Sequence, residues 1–292
     1  MSIRLIVTHP GSAHKDDFLA CSVLAHLHHV PIERREPTDE DLSDPSICVV
    51  DVGGRHDPEK SNFDHHQFPR EHPPVCALSL VLLDCGLYDD AKRFFSWLQP
   101  AEWLDTRGPI ETAKRMKIPR RALNELNSPI DVTVLRRFAA SERLDDASPI
   151  YQVMRMIGED MVDYVNRLRE GIAFLKSNCQ FWTLPAGNES VTDETMHAIF
   201  LPRCEAMPDD PALGMQPFIE SECSDRLIVA TVPPDRRGSG YGLSRHEDHP
   251  RVDFSRIENA EDVRFAHPRG FVAKTTATDP ERLKELLLMA VE

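Results

Sequence analysis

Three short stretches of this 292-residue chain carry side chains that can bind cations or move protons. VTHPGSAHKDD at 7–17 holds His9, His14, Asp16 and Asp17. ICVVDVGG at 47–54 ends an apolar run in Asp51, and NFDHHQ at 62–67 places Asp64, His65 and His66 in a row. Imidazole nitrogens and carboxylate oxygens without a thiolate suit Mn²⁺, or Mg²⁺, Co²⁺ or Fe²⁺, better than a structural zinc. A single catalytic zinc needs only three protein ligands and would leave the others idle. Two divalent ions about 3.5–4 Å apart would use the whole set and stabilise both the entering and the leaving oxygen of a phosphoryl transfer. The chemistry expected is hydrolysis of a phosphoester.

These residues need elements to position them. RLIVTH at 4–9 reads as a buried first strand that opens into the turn Pro10-Gly11-Ser12. DFLACSVLAHLHH at 17–29 follows, with Phe18, Leu19, Val23, Leu24 and Leu27 at helical spacing. His9, His14 and Asp16 therefore sit at a strand-to-helix junction, where they can converge on a cation while the helix N-terminus is left for an anion. VPIER (30–34) is a short second strand, and ICVVD is apolar enough to be a central parallel strand. Its carboxyl end, where open α/β sheets bind ligands, presents Asp51, and a carboxylate can bridge two ions. His65 and His66 are neighbours, so if one points at a metal the other points elsewhere, most naturally at substrate phosphate.

Further along, VCALSLVLLDCGL (75–87) reads as a helix stopped at Gly86. RFFSWLQPAEWL (93–104) reads as a helix broken at Pro100, with Asp105 opening the turn DTRGP. Helices are expected at 119–127, 131–140 and 149–177, and strands at 182–185, 196–202 and 225–234. RRGSGYGLSR (236–245) is a glycine-rich basic hairpin or ligand loop, and the closing helix is capped by Asp279 with Pro280 in its first turn. The expected architecture is α/β: a parallel-sheet domain at 1–178 bearing the metal site, and a smaller mixed α+β substrate-binding domain at 179–292.

With 34 Lys and Arg against 48 Asp and Glu, the formal charge is −14. That surplus argues against an extended double-stranded nucleic acid as partner, while a local basic rim can still hold one short strand end. The seven cysteines form no CxxC pair, which fits reduced thiols in a cytoplasmic protein. MSIRLIV is too short for a signal peptide, and no apolar run reaches the roughly 18 residues of a membrane span.

THPGSAHKDDFLACSVL, VVDVGGRHDPEKSNFDHHQ and the later FAHPRGF, taken in this order, resemble the DHH phosphoesterase superfamily, and within it the melanocyte-proliferating-gene-like exonucleases. The resemblance is strong over 5–80 and moderate near Asp105 and at 263–275. It implies His9, His14 and Asp51 around one metal, and Asp16, Asp51, His65 and Asp105 around another, with Asp17 a rival to Asp16. WLDTRGP departs from the usual wording around the matching aspartate. It further implies that Asp64 orients a ligand histidine, that His66 and His267 act on phosphate, and that Asp57 supports the site from behind. Arg269 and Gly270 would contact substrate, with Arg107, Arg236, Arg237 and Arg245 as helpers. The activity implied is removal of nucleotides from the 3′ end of RNA or short oligonucleotides, by a monomer or a homodimer. Rivals are a phosphatase or pyrophosphatase of small molecules, a cyclic-dinucleotide phosphodiesterase, and a non-catalytic metal-binding interaction protein.

Overall fold

The structure is a computed structural model that describes residues 2–125, 128–185 and 195–291. The chain forms two compact units, 1–166 and 167–292. Among the described residues there are two six-stranded sheets and ten α-helices, and no helix is long and apolar enough to cross a membrane.

The first unit opens with β1 (Leu5–Thr8), α1 (Lys15–His28), β2 (Ile32–Arg34), α2 (Asp39–Ser43), β3 (Ile47–Val50), β4 (His56–Asp57) and β5 (Asn62–Phe63). It continues with α3 (Ala77–Asp84), α4 (Tyr88–Phe94), α5 (Leu98–Met116), α6 (Arg120–Glu125), α7 (Pro129–Ala139), β6 (Arg143–Leu144) and the start of α8 (Pro149–Asn178). The sheet order is β4-β5-β3-β1-β2-β6. β1 pairs in parallel with β2 on one side and β3 on the other, and β3 pairs in parallel with β5. The two central strands, β1 and β3, are buried along their whole length and apolar but for Thr8, because both faces are covered. Ile6, Ile32, Cys48 and Val50 pack with Phe18, Val23 and Leu78 on the helical face, while Leu5, Val7, Ile47 and Val49 pack with Leu42 of α2 on the other.

The chain leaves β1 toward β2 and then returns to the far side of β1 as β3, so the topological switch point lies between β1 and β3. Ligands bind outside the carboxyl ends of strands at such a point. Thr8 is level with Val50, and Val50 with Phe63. The next residues of the three strands, His9, Asp51 and Asp64, therefore emerge side by side.

The long helical segment at 98–116 corrects one expectation. Pro100 does not break it, because Pro100 stands in the first turn of α5, where its missing N–H has no partner to lose. The break comes at Gly108, whose φ of 75° and ψ of 170° interrupt the helix before Pro109. Asp105 is thus helical, in the turn just before the break, and does not open a turn. The helix expected at 119–127 is described as Arg120–Glu125, residues 126 and 127 lying outside the described residues.

The second unit carries the end of α8 and then β7 (Gln180–Leu184), β8 (Met196–Phe200), α9 (Met215–Glu222), β9 (Leu227–Val232), β10 (Tyr241–Arg245), β11 (Val263–Ala266), β12 (Val272–Thr275) and α10 (Pro280–Met289). Its sheet runs β11-β12-β10-β9-β8-β7, antiparallel except for the pair β8–β9. Leu283, Leu286 and Leu287 of α10 seal it, and Asp279 caps that helix by accepting from the Arg282 N–H at 2.9 Å. All seven cysteines are free thiols.

One close approach holds α8 onto α1. A Cβ built on Gly158 would stand 2.1 Å from the Ser22 carbonyl oxygen, a backbone atom that has no rotamer to escape into. Gly158→Ala should therefore cost about 1–3 kcal/mol, as over-packing does. Urea denaturation of the two proteins measures it, and an unchanged midpoint would show that α8 shifts freely.

Candidate metal centre

His9 follows β1 directly, and the chain then makes the Pro10–Ser12 turn into α1. His14 is the N-cap of α1, which places Asp16 and Asp17 in its first turn, where the helix dipole favours carboxylates. Asp51 follows β3 with a φ of 58°, a left-handed conformation that aspartate tolerates better than most residues. Gly53 and Gly54, both at positive φ, carry the chain away, and Gly54 N–H donates to Asp64 Oδ2 at 2.6 Å. Asp64 follows β5, so a turn after one strand is tied to the end of the next.

Three overlapping groups of ligand-type atoms form here, each with its atoms within 4.8 Å of one another: His9, His14 and Asp51; Asp51, His65 and His66; and His14, Asp16 and Asp105. His65 Nε2 lies 3.1 Å from Asp51 Oδ1 and 2.9 Å from Asp105 Oδ2, and His9 Nε2 lies 3.5 Å from Asp51 Oδ2. The six residues expected as ligands are thus brought together, with Asp51 and His14 each shared between groups.

The polar atoms in the cluster are poorly satisfied. His9 Nε2, His65 Nε2, both oxygens of Asp16, and one oxygen each of Asp17, Asp51 and Asp105 are buried without a hydrogen-bond partner. Their short contacts with one another become ion pairs when the histidines are protonated. Each such atom costs about 1–3 kcal/mol in a folded protein, so seven together demand another source of stabilisation. Burial, followed by the Asp51 and Asp105 charges, pushes the Asp16 carboxyl well above the usual range. Burial likewise raises Asp51, against the pull of His65. The Asp17 carboxylate pushes His9 up to about 9. Burial works against a proton on His65, yet Asp105 and Asp51 push it up to about 10. The cluster gathers positive charge as protons, and oxygen and nitrogen donors without thiolate fit divalent cations in their place.

The structure separates Asp16 from Asp17. Asp17 Oδ1 accepts from the backbone N–H groups of His14 at 2.8 Å and Phe18 at 2.7 Å, so it caps the helix. Its other oxygen lies 3.1 Å from His9 Nε2. Asp16 has neither partner and belongs to the ligand group. Asp64 also takes a defined place: Oδ1 accepts from the His66 N–H at 3.0 Å and meets His66 Nδ1 at 2.7 Å. It orients His66, which is itself a member of one of the three groups. Burial opposes the Asp64 charge, but the His66 and Gly54 amides hold its carboxyl below the ordinary value. The His65 side chain is 8% exposed and that of His66 63%, so the two neighbours face different surroundings.

Other expected residues lie elsewhere. Asp57 is half-exposed, 4.0 Å from Lys60, and joins none of the three groups. Arg107 lines the pocket beside Asp105 and donates Nη2 to the His72 carbonyl. In the second unit, His267 opens a turn in which Gly270 N–H donates to its carbonyl at 2.7 Å, and its ring packs on Phe271 with centroids 3.9 Å apart. Gly270 has a φ of 68°, and a Cβ there would stand 1.9 Å from Asp253 Oδ1, so the turn requires glycine. Arg269 is exposed at the tip. Arg245 spends its guanidinium inside the unit, on the Val252 carbonyl and Asp248, and Arg236 pairs with Asp210. Arg237 N–H donates to Asp235 in the loop before β10.

Sequence reading passed over two supports. Arg34 of β2 is buried over the Phe138 ring and donates to the Gly11, Ser12 and Phe138 carbonyls, pinning the loop that carries His14. Its neighbours Glu33 and Arg35 are charged as well, so the sequence does not single it out. Glu102, buried one turn before Asp105, accepts from Ser79 Oγ at 2.7 Å and Tyr88 Oη at 2.6 Å and so ties α5 to α3 and α4. No local pattern announces it.

Carboxylates and imidazoles converging at the switch point of a parallel α/β sheet define a candidate divalent-metal centre. Comparison with known proteins falls on the same segment. Residues 5–73 match the model of an uncharacterised protein family, UPF0160. The chain is 43% identical over 67 residues to a protein of Bos taurus named MYG1 exonuclease, and 42% identical over 66 residues to its namesake of Homo sapiens. These matches cover 21% of this chain and 16% and 17% of the two relatives, so the chain aligns with under a fifth of their length. Among solved structures, a pGpG-specific phosphodiesterase from Vibrio is matched over 99% of this chain and 98% of its own, at 12% identity and a TM-score of 0.28, too low to support fold or function.

Two outcomes are expected. Asp16→Asn should weaken Mn²⁺ binding in calorimetry while leaving the metal-free protein at least as stable, since burial and the neighbouring carboxylates already disfavour the charged form of Asp16. Asp17→Asn should instead lower stability by about 1 kcal/mol through the lost cap. Equal effects in both assays would erase the distinction. Because a divalent ion must displace protons from Asp16, Asp51, His9 and His65, its affinity should rise with pH until about 9 to 10, where the histidines deprotonate. Mn²⁺ titrations at several pH values, with proton release measured, check this.

Proposed function

We propose that this chain is a divalent-metal-dependent phosphodiester hydrolase that shortens RNA or short oligonucleotides from the 3′ end. One observation carries the reading: six ligand-type side chains, all but His14 buried or half-buried, converge at the switch point, and five of them carry buried polar atoms without a hydrogen-bond partner. The word exonuclease in the name of the relatives matched over this segment supports the choice of substrate. His9, His14, Asp16, Asp51, His65 and Asp105 would hold one or two ions, with Mn²⁺ the best fit to a mixed nitrogen and oxygen donor set. Divalent ions bound there would supply Lewis acidity, lowering the pKa of water and neutralising phosphoryl charge.

The remaining roles belong to this chain's own groups. Asp64 holds His66 by Nδ1, which leaves Nε2 of an exposed ring to contact a phosphoryl oxygen and to give a proton to the leaving oxygen. Asp17 steers the His9 ring, and Arg34 fixes the loop between His9 and His14. In the second unit, His267 and Arg269 form a turn suited to phosphate, and residues 179–292 are assigned substrate binding on that basis.

The test uses purified protein with Mn²⁺ on 3′-blocked and 5′-blocked short RNA, a cyclic dinucleotide and pyrophosphate. Stepwise release of mononucleotides from open 3′ ends, abolished by chelation, is expected. His65→Ala should lower the rate by about 100-fold or more, and Asp64→Asn by about 10–100-fold, the range for residues that orient those at a metal site. Absence of turnover on every phosphodiester, with Mn²⁺ shown to be bound, would reject the proposal. Turnover of pyrophosphate alone would favour a small-molecule phosphatase.

A further inference from the structure

A pocket of about 720 Å³ opens beside the cluster within the first unit. That volume falls in the roughly 300–1,000 Å³ range of small-molecule sites. His65, His66 and Asp105 form one end of its lining, and the rest comes from the loop after His66 and from α5. In a chain of net charge −14, this lining is locally basic: Arg70, Arg107 and Arg115 stand against Asp105 and Glu111. Arg115 is in part balanced, its Nε 3.4 Å from Glu111, while Arg107 crosses from α5 to the His72 carbonyl and holds the two walls together. The loop wall is aromatic: the Phe68 and His72 rings stack with centroids 4.3 Å apart and an interplanar angle of 17°.

We propose that this pocket is a nucleotide subsite, which takes a phosphate on Arg70, Arg107 and Arg115 and a base along the Phe68–His72 wall. Guanidiniums bind phosphate oxygens in pairs, and flat aromatic surfaces accept any base without choosing a sequence. The proposal rests on the phosphodiesterase reading and extends it: the substrate carries a second phosphate-bearing nucleotide next to the scissile bond. Pyrophosphate and simple phosphate monoesters cannot fill such a pocket. Three arginines suffice here, because a short oligonucleotide needs only a few phosphate contacts.

Binding can be tested apart from catalysis. Metal-free protein in chelator is titrated with adenosine 5′-monophosphate and with adenosine, following amide shifts or heat. The monophosphate should bind, and adenosine at least tenfold more weakly. Arg70→Gln with Arg115→Gln, both at exposed positions that leave the core intact, should weaken monophosphate binding at least tenfold with an unchanged circular dichroism spectrum. Phe68→Leu should weaken the monophosphate but leave inorganic phosphate unaffected. No binding of the monophosphate, equal binding of adenosine, or indifference to the double arginine change would overturn the subsite. A protein that binds in this way but turns over no phosphodiester keeps the subsite and loses the catalytic reading; the reverse result loses the subsite alone.

Discussion

Like charges from a strand end and two helices, crowded beside the carboxyl edge of the parallel sheet, are the constraint around which the first unit is built. Asp16, Asp51 and Asp105 approach His9, His14 and His65 in a largely buried cluster whose open side is at His14, and burial raises the carboxyls of Asp16 and Asp51. Left alone, such a cluster destabilises the fold that makes it. The surrounding structure therefore has to force the approach. Apolar packing on both faces of the sheet does so, through Val50 and Phe18 on one side and Leu42 and Val49 on the other. A site that brings such groups together before any ion arrives is pre-organised, at a cost in stability that cation binding can return.

A further set of residues serves the cluster without joining it. Asp17, Asp64, Arg34 and Glu102 each bind backbone or side-chain atoms close to a ligand-type residue, and each fixes one degree of freedom. Asp17 shows the economy of the arrangement, since one carboxylate ends a helix and also meets an imidazole. Adjacent residues have separate tasks in two places: Asp16 and Asp17 through successive positions of a helical turn, His65 and His66 through burial of one ring and exposure of the other.

The central part of the site was legible before any coordinates. An apolar run that ends in a histidine or an aspartate is a buried strand with a polar tip, and RLIVTH and ICVVD both read that way because parallel strands leave no solvent face. Asp105 was harder. Its segment lacks a strand that would place it, and Pro100 suggests a break that the first turn of a helix does not suffer. The basic pocket was invisible for a different reason: Arg70 and Arg115 lie 45 residues apart, and only folding places them in one lining.

What the residue string determined by itself was local: strand ends, a helix cap and a ligand-type donor set without thiolates. These follow from periodicity, φ preferences and donor chemistry, which act over a few residues. The tertiary structure decided which of those groups meet. Choosing Asp16 over Asp17, assigning Asp64 to His66, leaving Asp57 outside and turning Arg245 inward all depend on distances and on burial. Such choices are made by packing between segments remote in sequence, where no short-range rule operates.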